Sequence, residues 1–136
     1  MVAVVDESRK AWMDALTDGS GDFDVSDLWE ENSTPVVFEV PLGENEGEAV
    51  NVIVDQSDFA HGAIVGRTGI GKSVVLETLL CGLGVKYPPE VVELVFASGK
   101  GRASRASALP HTRASFDVSV GDGAGEFVDF VEGLVA

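Results

Sequence analysis

Residues 63–73 read Ala63-Ile64-Val65-Gly66-Arg67-Thr68-Gly69-Ile70-Gly71-Lys72-Ser73. Three apolar residues lead into a glycine-rich turn, and Val74, Val75, Leu76, Leu79, Leu80 and Leu83 carry the chain on in a helical pattern. Gly66 to Ser73 matches G-x-x-x-x-G-K-[ST], which at this chain's own residue frequencies arises by chance in under about one chain in a hundred. The pattern has a physical reason. Glycines let backbone N–H groups turn inward toward an anion with no Cβ in the way. A helix beginning near Gly71 adds the positive end of its dipole. Lys72 is placed to reach the β- and γ-phosphates as a point charge, and the Ser73 hydroxyl to coordinate Mg²⁺. The candidate nucleotide-binding residues are therefore Gly66, Arg67, Thr68, Gly69, Ile70, Gly71, Lys72 and Ser73, with Ser73 the expected metal ligand.

Outward from this loop, the spacing predicts alternating strands and helices. Ala63-Ile64-Val65 is short and apolar, as a buried parallel strand should be. A helix is expected over 71–85, stopped by Tyr87-Pro88-Pro89. Leu94-Val95-Phe96-Ala97 reads as a second buried strand, 99–113 as a basic loop, 116–120 as an alternating strand and 126–135 as a helix. On that last helix Phe127, Phe130, Val131 and Leu134 share a face. Upstream, Val36 to Val40 reads as a strand ending at Pro41, 42–47 as a turn, and Val50 to Val54 as its hairpin partner. Asp24 to Glu31 fits a turn or two of helix, and 7–17 a short helix capped by Asp6, with Ala11, Trp12, Ala15 and Leu16 on one stripe. The fold class is α/β: a mostly parallel sheet flanked by helices and preceded by a β-hairpin. Residues 1–34 read as an acidic helical segment and linker, and 35–136 as the nucleotide-binding domain.

Binding phosphate is one requirement; hydrolysing it needs a strand that ends in a carboxylate to hold the metal and activate water. Ser98 follows the strand at Leu94, Gly121 and Asp122 follow the one at Phe116, and Val52-Ile53-Val54-Asp55 precedes the loop. Asp55 therefore reads as a strand-end surface acid, and the catalytic residues are not identifiable from the sequence. No Asn-Lys-x-Asp guanine reader is present. A small kinase would need an arginine-rich lid and an acceptor site, and neither is evident. His61 and His111 have no recognisable carboxylate partner and read as loop residues bonded to backbone. Lys100, Arg102, Arg105 and Arg113 form a basic loop, read first as solvated, which in a motor could touch nucleic acid, a partner subunit or phosphate. Cys81 reads as a small core residue, and Trp12 and Trp29 as packing residues.

The chain has 136 residues, room for one small domain, and its net charge is −14. Residues 1–58 hold 15 acids and 2 bases, residues 61–113 hold 3 acids and 7 bases, and residues 114–136 hold 5 acids and no base. The overall sign opposes non-specific affinity for nucleic acid or anionic lipid, while the middle block suits a small anion. A single cysteine cannot form an internal disulfide, and no run approaches the roughly 18 apolar residues of a membrane span. A cytoplasmic location is expected, with membrane association through a partner or parent protein.

In order along the chain, several further features accompany the loop. Leu28-Trp29 precedes Val40-Pro41-Leu42-Gly43, and the strand Val50 to Asp55 follows. His61-Gly62 stands just before the loop, Pro88-Pro89-Glu90-Val91 with Glu93 to Ala97 comes after it, and then Leu109-Pro110-His111-Thr112. Together these resemble the FtsK/SpoIIIE-type motor ATPases, and among them the type VII secretion ATPases of EccC type. The resemblance implies ATP with Mg²⁺ at Gly66 to Ser73. It also implies assembly into homo- or hetero-oligomeric rings with a basic finger supplied by a neighbour. A secreted protein substrate is implied by the EccC likeness, and double-stranded DNA by the chromosome translocases; the acidic balance favours the first. A module that binds ATP without hydrolysing it is the other reading. Where EccC-like domains read Asp-Phe-Lys-Gly-Gly, this chain reads Ser98-Gly99-Lys100-Gly101-Arg102. The resemblance puts the metal-binding Asp-Glu strand beyond Ala136, so the chain reads as the front half of such a domain or a shortened copy. Uncovered apolar faces are expected to make the isolated chain self-associate.

Overall fold

The structure is a computed structural model that describes residue 14 and residues 24–46, 48–55, 61–100 and 104–135. Of the expected helix over 7–17 only residue 14 is described, and Trp12 and Arg102 lie outside the described residues. The elements in chain order are α1 (Val25–Glu31), β1 (Phe38–Asn45), β2 (Glu48–Val54), α2 (Lys72–Lys86), β3 (Leu94–Ser98), a 3-10 turn (Arg105–Ala108), β4 (Thr112–Asp117) and α3 (Gly123–Val135). Asp24 caps α1 by accepting the Ser26 N–H at 2.8 Å.

The expected hairpin is present: β1 and β2 pair antiparallel, with Val40 opposite Val52. Its first strand is longer than expected. Pro41 stays in the strand, opposite Asn51, and the register slips by one residue before Gly43. A proline without an N–H is tolerated in an edge strand, and the bulge at Leu42 absorbs the mismatch. The turn is correspondingly tighter, with Glu46 at φ 54°.

β3 and β4 pair parallel, which supplies the α/β character, but they form a separate two-stranded sheet. Four expectations change here. Residues 63–65 are not a strand: Ile64 and Val65 are exposed, and no described strand pairs with them. A strand is defined by hydrogen bonds to a neighbour, and apolar content alone does not supply one. β4 begins at Thr112 rather than Phe116, since the Leu94 N–H donates to the His111 carbonyl at 2.8 Å and fixes the register there. Its far end is set by Asp117, whose carboxylate takes the Ser119 N–H and hydroxyl and turns the chain. β3 buries Leu94 but leaves Val95 exposed, so it is not covered on both faces. The segment read as a basic loop also contains the 3-10 turn, capped by Ser104.

The core gathers at the C-terminal end of α2. Val40, Tyr87, Val92 and Leu94 are buried together, flanked by Phe38, Leu79, Leu80, Leu83 and Phe96. Tyr87 joins the pieces. Its hydroxyl accepts the Glu39 N–H at 2.8 Å and donates to the Glu39 carbonyl at 3.3 Å, and its ring meets Phe38 edge-on. Its own carbonyl accepts from His111 Nε2 at 2.8 Å. Trp29 fastens α1 to the same place, donating to the Gly84 carbonyl at 3.2 Å and standing edge-on to His111. Gly84 fits closely there, since a Cβ would meet Leu109 Cδ1 at 3.0 Å and the His111 ring at 3.4 Å. Phe116 is level with Ala97 and one residue out of step with Phe96, so the two phenylalanines face opposite sides of the parallel pair. Phe127 and Phe130 pack α3 onto the Phe116 side.

Tyr87→Phe removes the hydroxyl and leaves the Glu39 N–H without its partner. We expect a loss of about 1–3 kcal/mol in urea unfolding, against roughly 3–5 kcal/mol for Tyr87→Ala. A Tyr87→Phe variant as stable as the wild type would show that the hydroxyl contributes nothing.

Candidate nucleotide-binding site

The loop is built from backbone freedom at one end and a helix start at the other. Gly69 and Gly71 take φ of 85° and 101°, the left-handed region that favours glycine, and a Cβ at either position would point into open space. The requirement for glycine there is therefore conformational rather than steric. Gly66 differs: a Cβ on it would meet Ile70 Cγ2 at 3.0 Å, and the Lys72 stem lies just beyond. α2 starts at Lys72 with Gly71 as its N-cap, and no side chain caps it. The first-turn N–H groups and the helix dipole are thus directed at the loop without a competing carboxylate or hydroxyl.

Lys72 curls back over this loop. Its Nζ donates to the Gly66 carbonyl at 2.7 Å and to the Arg67 carbonyl at 2.9 Å, which holds the ammonium across the turn. Ser73 follows as the second residue of α2, exposed at the loop end of the helix. Arg67, Thr68 and Ile70 are exposed on the turn itself. Positive-φ glycines, an uncapped helix start and a lysine spanning the loop fit a bound polyphosphate. Lys72 and the loop N–H groups could hold such a group, with Ser73 placed to take its metal ion.

The other residues singled out in the sequence lie elsewhere. Asp55 directly follows β2, in keeping with a strand-end acid, and His61 is exposed before the loop. His111 is 2% exposed and bonds to backbone. Because a carbonyl can only accept, Nε2 carries a proton, and Nδ1 has no partner among the described residues. Arg113 pairs with Glu93 at 2.9 Å and lies over the Phe130 ring, so it belongs to the packing of β4 and α3. Lys100 is exposed, and the Arg105 N–H donates to Glu77 Oε1 at 3.3 Å, which ties the 3-10 turn to α2. Cys81 is half-buried, and its thiol pKa is raised by burial and then by the nearby Glu77 carboxylate. Among the described residues no three His, Cys, Asp or Glu side chains gather as a metal site.

One acid escaped the sequence reading. Asp117 stands opposite Ser98 at the carboxyl ends of β3 and β4, so a carboxylate is present beside the position where Ser98 has none. The Ser119 hydroxyl, followed by the Ser119 N–H, lowers the Asp117 pKa below the ordinary carboxylate range. Only strand pairing brings Asp117 to that edge, and the sequence carries no signal for the pairing.

The FtsK/SpoIIIE family profile matches residues 26–136. The chain belongs to the FtsK/SpoIIIE family. It is 35% identical over 106 residues to the ESX-4 secretion system protein EccC4 of Mycobacterium tuberculosis, a match covering 71% of this chain and 9% of that protein. It is 30% identical over 92 residues to the ESX secretion system protein EccC of Thermomonospora curvata, covering 64% and 7%. To the type VII secretion system protein EssC of Staphylococcus aureus it is 28% identical over 80 residues, covering 57% and 5%. The matched stretch spans less than a tenth of each of these relatives. No solved structure matches the chain. Among the described residues no helix is long and apolar enough to cross a membrane.

Two outcomes test this geometry. Gly71→Ala forces a side chain into the left-handed region and should cost roughly 1–2 kcal/mol of stability, read by thermal melting. In Ser119→Ala the Asp117 carboxyl should titrate at higher pH than in the wild type, followed by carboxyl carbon shifts in NMR. The sign follows from a folded-state pKa held below its unfolded value. The stabilisation is present above the ordinary carboxylate range and is lost as pH falls through the folded-state pKa, so the variant should lose it at higher pH.

Proposed function

We propose that this chain is the phosphate-loop portion of a type VII secretion motor ATPase, holding ATP and Mg²⁺ through Gly66 to Ser73. The observation that carries this reading is Lys72, held across a turn of left-handed glycines at an uncapped helix start. Bound ATP would supply the free energy of phosphoryl transfer. The chain's residues would do the rest: loop N–H groups cradle the β- and γ-phosphates, and Lys72 exchanges its carbonyl partners for phosphate oxygens. Ser73 would take a place on the metal, and Arg67 adds a second cation at the rim.

In this reading the nucleotide-binding unit is 35–136, preceded by the acidic segment 1–34. The names of the relatives favour a secreted protein as substrate, and the charge of −14 disfavours double-stranded DNA. Neighbours in an oligomeric assembly, reached at the membrane through the parent protein, complete the picture. A binding module without turnover has one observation in its favour: Ser98 stands where EccC-like domains have Asp.

Calorimetric titration of ATP–Mg²⁺ into the chain tests the reading. We expect a Kd on the order of micromolar and a loss of at least about tenfold in Lys72→Ala. No heat from a chain that circular dichroism shows to be folded would overturn nucleotide binding. A steady phosphate release abolished by Lys72→Ala would separate a motor from a non-hydrolysing module.

A further inference from the structure

Only half of the apolar side of α3 is covered. Phe127 and Phe130 meet Phe116 of β4, yet no residue of the helix is buried. Ala124, Val128, Val131 and Val135 lie on the other half and are exposed, Val128 at 50% and Val135 at 84%. At 100° per residue these four fall within about 60° of one another. Their alternating spacing of four and three residues makes a ridge of the kind one helix offers to another. The surroundings of the ridge are acidic. Glu132 and then Asp129 run along its flank, Glu126 stands on the far side of the helix, and α3 carries no base. Among the described residues none of these three carboxylates has an ion pair, and Arg113, which lies over the Phe130 ring, pairs with Glu93 instead. The helix dipole adds partial negative charge at the Val135 end, where the last turn also lacks a base.

We infer that this ridge of α3 docks a basic amphipathic helix of another polypeptide. The spacing of the ridge selects a helix, whose own apolar row withdraws the four side chains from water. The charges select a basic one, since cations beside that row meet Glu132 and Asp129 and an acidic helix is repelled. This chain does not present such a helix among its described elements. α1 and α3 hold no base, and the two bases of α2, Lys72 and Lys86, stand at its opposite ends. Joining α3 to α3 would set the same acids against each other. The 13 residues of α3 span about 20 Å, so an occupant of about four turns covers the ridge from end to end. The inference is independent of ATP binding, and its test contains no nucleotide.

The experiment titrates the full chain into two labelled synthetic peptides and reads fluorescence anisotropy. Both peptides are helices of about four turns with leucine at the heptad core positions. One carries lysine at the flanking positions and the other glutamate. The lysine peptide should bind with a Kd on the order of 10 μM, and the glutamate peptide should not bind. Val128→Asp should weaken the lysine peptide by at least about tenfold although it makes the chain more negative. Attraction to the net charge of −14 alone would leave that affinity unchanged or raise it. Glu132→Lys should also weaken binding, whereas Glu31→Lys, the same change of charge on exposed α1, should leave it within about twofold of the wild type. The inference is overturned if the lysine peptide does not bind, if Val128→Asp binds it like the wild type, or if Glu132→Lys and Glu31→Lys have equal effects. A wild-type dimer in sedimentation that Val128→Asp disperses would make a second copy the occupant, and would overturn it too. Circular dichroism checks that each variant is folded, and Val135→Asp, at the exposed end of the helix, replaces Val128→Asp if that variant is not.

Discussion

Tyr87 bonds to three separate parts of the chain, and the placement of α2 depends on it. Its N–H closes the last turn of α2 on the Leu83 carbonyl, its hydroxyl engages both backbone groups of Glu39, and its carbonyl takes the His111 proton. A side chain 2% exposed with these polar atoms has to satisfy them within the protein, and each bond has one geometry. Pro88 follows immediately, so the helix cannot run on and shift that geometry. The hairpin, the start of β4 and the end of the helix are thereby held at one point. His111 and Trp29 extend it, and Gly84 lets them come close to the helix axis.

This arrangement separates the core from the candidate site. α2 has 15 residues, a length of about 22 Å at 1.5 Å per residue, with the core at one end and the phosphate loop at the other. The loop therefore owes little to packing. Its shape comes from local terms: the freedom of Gly69 and Gly71, and the two bonds that Lys72 makes to the turn that precedes it. A binding turn at the exposed end of a well-anchored helix can change its hydrogen-bond partners without disturbing the core. The exchange of carbonyl for phosphate partners proposed for Lys72 would draw on that freedom.

The same division explains what could be read without coordinates. The candidate loop was legible residue by residue because its conformation is encoded locally, in glycines and one lysine at fixed spacing. α1, α2, α3 and the hairpin were legible for a similar reason, since caps, prolines and periodicity act over a few residues. What escaped was everything set by partners distant in sequence. The start of β4 depends on a bond between Leu94 and His111, and the carboxylate beside Ser98 comes from a different strand. Pro41 looked like a strand end because proline usually is one; only the bulge opposite Val50 and Asn51 shows how the strand continues.

Residues 63–65 carry this reasoning furthest. Their composition is that of a buried strand, yet Val65 is 89% exposed, and Ile70, Val74, Val75 and Leu76 continue the apolar surface onto α2. Apolar residues around most of a helix are favourable only where something covers them, at roughly 25 cal/mol for each Å² withdrawn from water. The free energy that Ile64, Val65 and the first turns of α2 can release is thus unspent in the chain as it stands. It is concentrated beside the loop, whereas the anchored end of α2 is already buried. Any surface that covers this region would stiffen the turn that carries Lys72. The uncovered surface and the turn that carries Lys72 thus share one end of a single helix, away from the anchor at Tyr87.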